Sequence, residues 1–297
     1  MKTMLWALVC ASTVSLIVFR GTTPAYAVLN PDDIIAIWLF DEGEGDTAND
    51  ASGNPHDMDG RLEVAEWLHN AGEKPKWVGG KFGKALKCEG EGSVIAVPNF
   101  IKEERLGPDE DDAAAGNLPR ETEITITAWV KRNDKIGSAA QKDLFSFEPG
   151  GPWDNRLLVH FPWDDGAGEA IIWQYGGEPS FLDGPKWRFP ANGGEMNHYA
   201  FTGDGNKTAI YQNGKIVQEG GGANPFVRTV LHGPWHICGR FDSSTQVTVD
   251  DIGIFSRVLT HDEISAIMRN GLAVATGLGV DPADKISTAW GVIKTTN

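Results

Sequence analysis

Two sets of side chains in this chain have the types and spacing for chemistry. The first is a set of carboxylates: Asp41, Asp50 with Ser52 and Gly53 just beyond it, and the adjacent pair Asp250 and Asp251. Carboxylates and loop carbonyls are the ligands a hard cation such as calcium takes. The competing role for Asp50 is to cap an Asx-turn, and for Asp251 to pair with an arginine or a backbone amide. Asp242, beside Arg240 and Phe241, is a weaker member of this set. The second set is aromatic. The stretch GGPWDNRLLVHFPWDDGAGEAIIWQYGG carries Trp153, Trp163, Trp173 and Tyr175, with Trp187 just after it, among Asp, Asn and Arg. Flat rings beside such groups suit a sugar, which stacks a C–H face and offers hydroxyls at its edge. Trp153 and Trp163 follow Pro152 and Pro162 at loop positions, where recognition residues concentrate. They are the expected stacking surfaces, with Arg156 and Asp164 as hydrogen-bonding partners and Asp154, Asn155 and Asp165 nearby. The competing role for tryptophan is packing, which is assigned to Trp38, Trp129 and Trp235. Trp173 alternates with Ile171 and is expected to face the core.

Catalytic signatures are missing. There is no G-x-S-x-G elbow and no H-E-x-x-H helix. His232 and His236 have a metal-like spacing, but Gly233 and Pro234 between them exclude a helix and make them turn residues.

These side chains sit in an acidic, exported-looking chain. Lys2, the apolar run from Met4 to Phe19 and the Ala25-Tyr26-Ala27 cleavage site read as a signal peptide over residues 1–27. No second apolar run follows that could cross a bilayer, so no membrane insertion is expected after cleavage, and localisation is expected to be secreted, periplasmic or at the cell surface. Cleavage takes the basic residues from 26 to 24 against 41 acidic ones, a net charge near −17. That balance excludes nucleic acid and anionic membrane surfaces as partners. The acidic run EERLGPDEDD from Glu103 to Asp112 reads as a solvated loop. Cleavage also removes Cys10, leaving Cys88 and Cys238. Export permits a disulfide between them, with two buried free thiols as the rival state.

The elements that must position these residues are strands. Short alternating runs recur at the spacing of a sandwich: Ile34 to Phe40, Ala85 to Cys88, Val94 to Val97, Ile124 to Lys131, Asp143 to Phe147, Leu157 to Phe161, Glu169 to Gln174, Asn197 to Thr202, Thr208 to Gln212, Lys215 to Glu219 and Trp235 to Cys238. Ile124, Ile126, Ala128 and Val130 face one way, and Thr125, Thr127 and Trp129 the other. Asn213-Gly214 supplies the positive φ angles of a two-residue hairpin turn. The run VTVDDIGIFSRVLTHDEI, Val247 to Ile264, is a strand that stops at Ser256-Arg257 and enters a helix. Thr260 is its N-cap, Glu263 its capping-box partner, and Gly271 suits its end. This is the one helix expected.

That closing strand and helix resemble the end of laminin G-like domains in the concanavalin A-like lectin/glucanase superfamily, of a secreted bacterial type. Further motifs of that family occur in its order: Trp38-Leu39-Phe40-Asp41-Glu42-Gly43, Asp50-Ala51-Ser52-Gly53 with Asp59-Gly60, Gly80-Lys81-Phe82-Gly83-Lys84-Ala85-Leu86, Ile124 to Val130, and Tyr211-Gln212-Asn213-Gly214-Lys215. The resemblance spans residues 34–272. It implies an all-β concanavalin A-like jelly-roll sandwich with one short C-terminal helix, occupying residues 28–272, followed by a tail, 273–297, that docks on it. It also implies that first and last strands are neighbours, which would bring Asp41 and the Asp50 loop to Asp251 as a structural calcium set. Glucanases of the superfamily carry E-x-D-x-x-E on one strand, as acid and nucleophile need a fixed separation. That spacing is absent here. The expected function is therefore a secreted, non-catalytic recognition module for carbohydrate or a glycosylated surface. The alternatives are a glycoside hydrolase or lyase with a non-standard site, and a structural or adhesive cell-surface protein.

Overall fold

Alternation of apolar and polar residues makes each strand two-faced, and two stacked sheets bury the apolar faces against each other. The computed structural model describes residues 29–54, 58–65, 72–89, 92–100, 123–133, 142–147, 157–164, 169–175, 186–188, 194–204, 207–221, 233–240 and 243–278. In chain order a 3₁₀ turn, Pro31–Asp33, precedes β1 (Ile34–Trp38), β2 (Thr47–Ala48), β3 (Gly60–Val64), β4 (Lys76–Gly79), β5 (Lys84–Cys88) and β6 (Ser93–Phe100). Then come β7 (Ile124–Arg132), β8 (Asp143–Phe147), β9 (Leu157–Asp164), β10 (Glu169–Tyr175), β11 (Lys186–Arg188) and β12 (Asn197–Gly203). The chain closes with β13 (Lys207–Gln212), β14 (Lys215–Gly221), β15 (Gly233–Ile237), β16 (Gly239–Arg240), β17 (Ser243–Ser244), β18 (Val247–Phe255), α1 (His261–Asn270) and α2 (Leu272–Ala275).

The first sheet runs β14-β13-β12-β7-β18-β5-β4, and the second β11-β10-β9-β8-β15-β6-β3-β2. Every pairing is antiparallel. Opening and closing strands are neighbours, as the resemblance implied. One edge of β18 takes β5 along Val247 to Val249 and β1 along Ile252 to Phe255. The fold is the expected all-β jelly-roll sandwich.

The core lies between the sheets. Ile126, Ala128, Val130, Phe201, Val249 and Ile252 meet Ile95, Val97, Val159, Phe161, Ile171 and Ile237 there. Trp235 anchors it, 5.4 Å from the ring of Trp38 and stacked at 5.4 Å on Phe145. A second apolar layer covers the outer face of the first sheet: Ile264 and Ile267 of α1 and Leu272 and Ala275 of α2 pack on Ile37, Ala200 and Phe255. The expected helix starts at the expected cap, with Thr260 and Glu263 forming a capping box. The Asn213-Gly214 hairpin forms with φ of 49° and 76°.

A second helical turn follows Gly271, whose extended ψ of 162° redirects the chain rather than ending the fold. Ala275 is buried, and its carbonyl accepts the Leu29 amide, tying the two ends of the described chain together to residue 278. The rest of the tail, 279–297, and the signal segment, 1–27, lie outside the described residues.

Cys88 and Cys238 form a disulfide, with Cα atoms 6.3 Å apart. Of the two states the sequence left open, the bridge is the one present. It joins β5 of the first sheet to the residue after β15 of the second.

Candidate functional site

The carboxylates come first. β18 carries a bulge: Val249 and Ile252 both enter the core although three residues apart, so Asp250 and Asp251 both leave it. Asp251 absorbs the extra residue at a φ of 47°, a region that aspartate tolerates better than most side chains. Each carboxylate then holds a different piece of backbone. One oxygen of Asp250 accepts the Lys81 and Phe82 amides at 2.6 and 2.9 Å. Asp251 accepts the Leu272 amide at 2.8 Å, and Asp41 the Lys84 amide at 3.0 Å. The glycines of this region are required by contact. A Cβ on Gly80 would lie 2.5 Å from an Asp250 oxygen, and one on Gly83 2.0 Å from an Asp41 oxygen. Burial pushes Asp250 up to about 6 and Asp251 up to about 7, and repulsion from Asp41 adds to both.

Asp50 serves elsewhere. It accepts the Ile37 amide at 2.9 Å, and the Ser52 amide and hydroxyl at 2.9 and 2.8 Å. Its charged neighbour is Asp59, and burial raises its pKa. Of the expected calcium set, Asp41 lies in the field of Asp251, while Asp50 holds the Ile37 amide and its own turn. Among the described residues no group of three His, Cys, Asp or Glu side chains is arranged to hold a metal. Asp242 lies outside the described residues.

The outer face of the second sheet has a different character. His160, Leu158, Ile172, Ala170 and His236 alternate with core residues and so leave the core side. Asp143 bonds the His160 ring at Nδ1, and both are buried. Ser146, opposite Leu158 and His236, donates to the Gly239 carbonyl at 2.9 Å. On the edge strand β11, Trp187 packs against the core while Lys186 and Arg188 take the alternate face. Burial pushes His236 below the usual imidazole range. This face therefore has a buried floor of polar and aliphatic groups, with basic side chains at one edge.

Trp163 and Asp164 close β9, opposite Ala170 and Glu169. Arg156 adjoins Leu157 in sequence, at the other end of the same strand. At about 3.3 Å per residue the strand separates its ends by roughly 20 Å. One sugar ring does not span that distance. Trp153 and Arg156 lie outside the described residues, as do Asp154, Asn155 and Asp165. Trp38, Trp129 and Trp235 are all buried, as expected.

One feature of this region carried no local signal. Arg132 continues the inward face of Val130, and Glu169 that of Ile171, and they meet as a buried bidentate pair at 2.6 and 3.1 Å. Val247 lies opposite both Cys88 and Arg132 in the first sheet. The disulfide and this ion pair therefore leave one row of the first sheet to reach the second.

A model of the concanavalin A-like lectin/glucanases superfamily matches residues 109–265. The chain belongs to this superfamily. No curated protein sequence matches it. Among solved structures, domain 4 of the extracellular arabinanase AbnA from Geobacillus stearothermophilus, in complex with arabinotriose, superposes with a TM-score of 0.53 at 17% identity. That match covers 80% of this chain and 98% of that domain. Trypanosoma rangeli sialidase matches with a TM-score of 0.52 at 15% identity, over 80% of this chain but only 33% of the sialidase. A botulinum neurotoxin type C structure, described as depending on two ganglioside molecules for cell entry, matches at 0.51 and 11% identity, over 80% of this chain and 51% of that one. At these identities the likeness is one of fold. Superfamily membership accounts for the sandwich and its closing helix, and leaves the ligand to the side chains.

Proposed function

We propose that this chain is an exported, non-catalytic recognition module for carbohydrate or a glycosylated surface, binding on the outer face of the second sheet. One observation carries the choice of face. Helices α1 and α2 cover the outer side of the first sheet, and outside the second the partly exposed His236 and Lys186 stand at register-fixed positions beside the buried His160, Asp143 and Ser146. Polar groups on a rigid floor, with Trp153 and Trp163 close by in sequence, suit a sugar site. Further support is the match over nearly the whole of a domain seen with arabinotriose, and the sialidase and neurotoxin likenesses. The signal-like leader and the Cys88–Cys238 bridge agree with export. Among the described residues no helix is long and apolar enough to cross a membrane.

A glycan array with the oxidised, processed chain tests this directly. Retention on a defined glycan class is expected, and replacing both Trp153 and Trp163 by alanine should abolish it while leaving the melting temperature nearly unchanged. If the double variant unfolds, the tryptophans are packing residues; if it still binds, they are not the platform. A chelator arm reads any role of calcium.

The hydrolase or lyase reading keeps one favourable observation, the His160 imidazole held by Asp143 on the same face. Release of reducing ends or unsaturated products from a bound glycan, lost in His160→Gln, would replace the recognition reading with an enzymatic one.

A further inference from the structure

Three adjacent strands set His198, Trp129 and Asp250 side by side on the outer face of the first sheet. His198 is opposite Trp129 across β12 and β7, and Trp129 is opposite Asp250 across β7 and β18. Such cross-strand neighbours stand about 4.5–5.5 Å apart at Cβ. Thr127 follows on the same face of β7, between Gly253 and Ala200, which reach no further than a methyl group. All four side chains are buried. Among the described residues, both ring nitrogens of His198, Nε1 of Trp129, Oδ1 of Asp250 and Oγ1 of Thr127 have no hydrogen-bond partner.

The packing around them supplies none. Trp129 meets His198 edge-on at 5.5 Å and Phe82 at 6.1 Å, and the Lys81 ammonium sits over its ring at 4.6 Å. These contacts use ring faces and edges and give the indole N–H no acceptor.

A buried polar group left unpaired costs about 1–3 kcal/mol. Four such side chains would approach the whole stability of a domain, about 5–15 kcal/mol. The chemistry of the row also restricts what can satisfy it. Asp250 needs a donor and the Trp129 indole needs an acceptor. Burial pushes His198 down to about 3, so its ring is neutral and offers one of each. A metal ion or ammonium cannot accept a hydrogen bond, and a halide cannot donate one. Water does both.

We propose that the His198–Trp129–Asp250 row, with Thr127, encloses a site for ordered internal water. The bound solvent completes the shell of Asp250, whose other oxygen already holds the Lys81 and Phe82 amides. It thereby couples the turn between β4 and β5 to the three central strands.

A high-resolution crystal structure of the oxidised protein tests this. The expected result is solvent density within about 3.2 Å of at least two of these atoms. In solution, the Trp129 indole proton should show a cross-relaxation peak to a long-lived water that is lost or weakened in His198→Phe. Density for an ion identified by anomalous scattering would overturn the proposal. So would direct protein–protein hydrogen bonds closing the row, or a dry site with no water cross-peak.

Discussion

Asp250 and Asp251 both anchor backbone, yet both carry an ionisation penalty, and the penalty gives stability a pH dependence of definite sign. Their folded pKa values, about 6 and about 7, stand above the ordinary 3.8, with burial the first cause. The folded chain therefore binds these protons more tightly than the unfolded chain does. Their contribution to stability rises as pH falls from 8 through 6, and stops growing near pH 4, where the unfolded carboxyls also protonate. Asp250→Asn keeps an oxygen for the Lys81 and Phe82 amides but removes the charge. One pKa unit corresponds to about 1.4 kcal/mol, so this variant should be more stable than the natural chain at pH 8 by about 2–3 kcal/mol. At pH 5 that advantage should shrink to about half, because the unfolded carboxyl is still ionised there. Thermal melts at both pH values decide it, and equal destabilisation at both would show that the charge carries no penalty. Asp50 follows a different local logic. Its three hydrogen bonds are to the Ile37 amide and to Ser52, so its role is readable from the Asp-Ala-Ser-Gly run that suggested an Asx-turn.

At the scale of elements, α1 is held by a local network that depends on charge. Glu263 accepts from the Thr260 amide at 2.8 Å and is gripped by Arg257 at 2.6 Å, which also binds Asp33 at 2.6 Å. Arg257 first, and then the cap, lower Glu263 to about 2 against an ordinary 4.5. That contribution is complete above about pH 4.5 and is lost as pH falls through 2. Thr260→Ala should cost about 1 kcal/mol. Glu263→Gln keeps an acceptor but loses the ion pair, so its cost should shrink with added salt while that of Thr260→Ala does not. Urea denaturation of the two variants at low and high salt checks this; equal salt sensitivity would argue against the ion pair. This helix and the Asn213-Gly214 hairpin were legible in the sequence because their determinants lie within four residues of one another. The short strands β2, β11, β16 and β17 were not, since two or three residues carry no period and form only where a neighbour supplies the hydrogen bonds. The Arg132–Glu169 pair was hidden for a related reason. Its members are 37 residues apart and sit on opposing sheets, so nothing local marks them. The carboxylate set was half legible: the pairing of β1 with β18 brought Asp41 into the field of Asp251. Asp50 holds the Ile37 amide and the Ser52 turn.

On the scale of the molecule, one end of the sandwich is stitched more heavily than its middle. Cys88, Val247 and Arg132 form one row across β5, β18 and β7. Two of them reach the second sheet, Cys88 through the bond to Cys238 and Arg132 through Glu169. Just before this row, the Thr245 hydroxyl donates to the Phe161 carbonyl at 2.6 Å and adds a third crossing. Between the described strands the core elsewhere is chiefly apolar, so the covalent link sits beside the polar groups that would most readily admit water. Its main effect is expected on the unfolded chain. Closing a loop across a sequence separation of 150 residues lowers the entropy of that state by an amount equivalent to about 5 kcal/mol in the loop model, with measured values often smaller. Reduction should therefore lower the urea midpoint without abolishing folding, because the core cluster is intact on both sides of the bridge. The denaturation slope should increase at the same time, since an uncross-linked chain exposes more surface on unfolding. Replacing both cysteines by alanine should reproduce the two changes together. Equal midpoints and slopes for the oxidised, reduced and alanine forms would show that the apolar core alone holds the sheets in register.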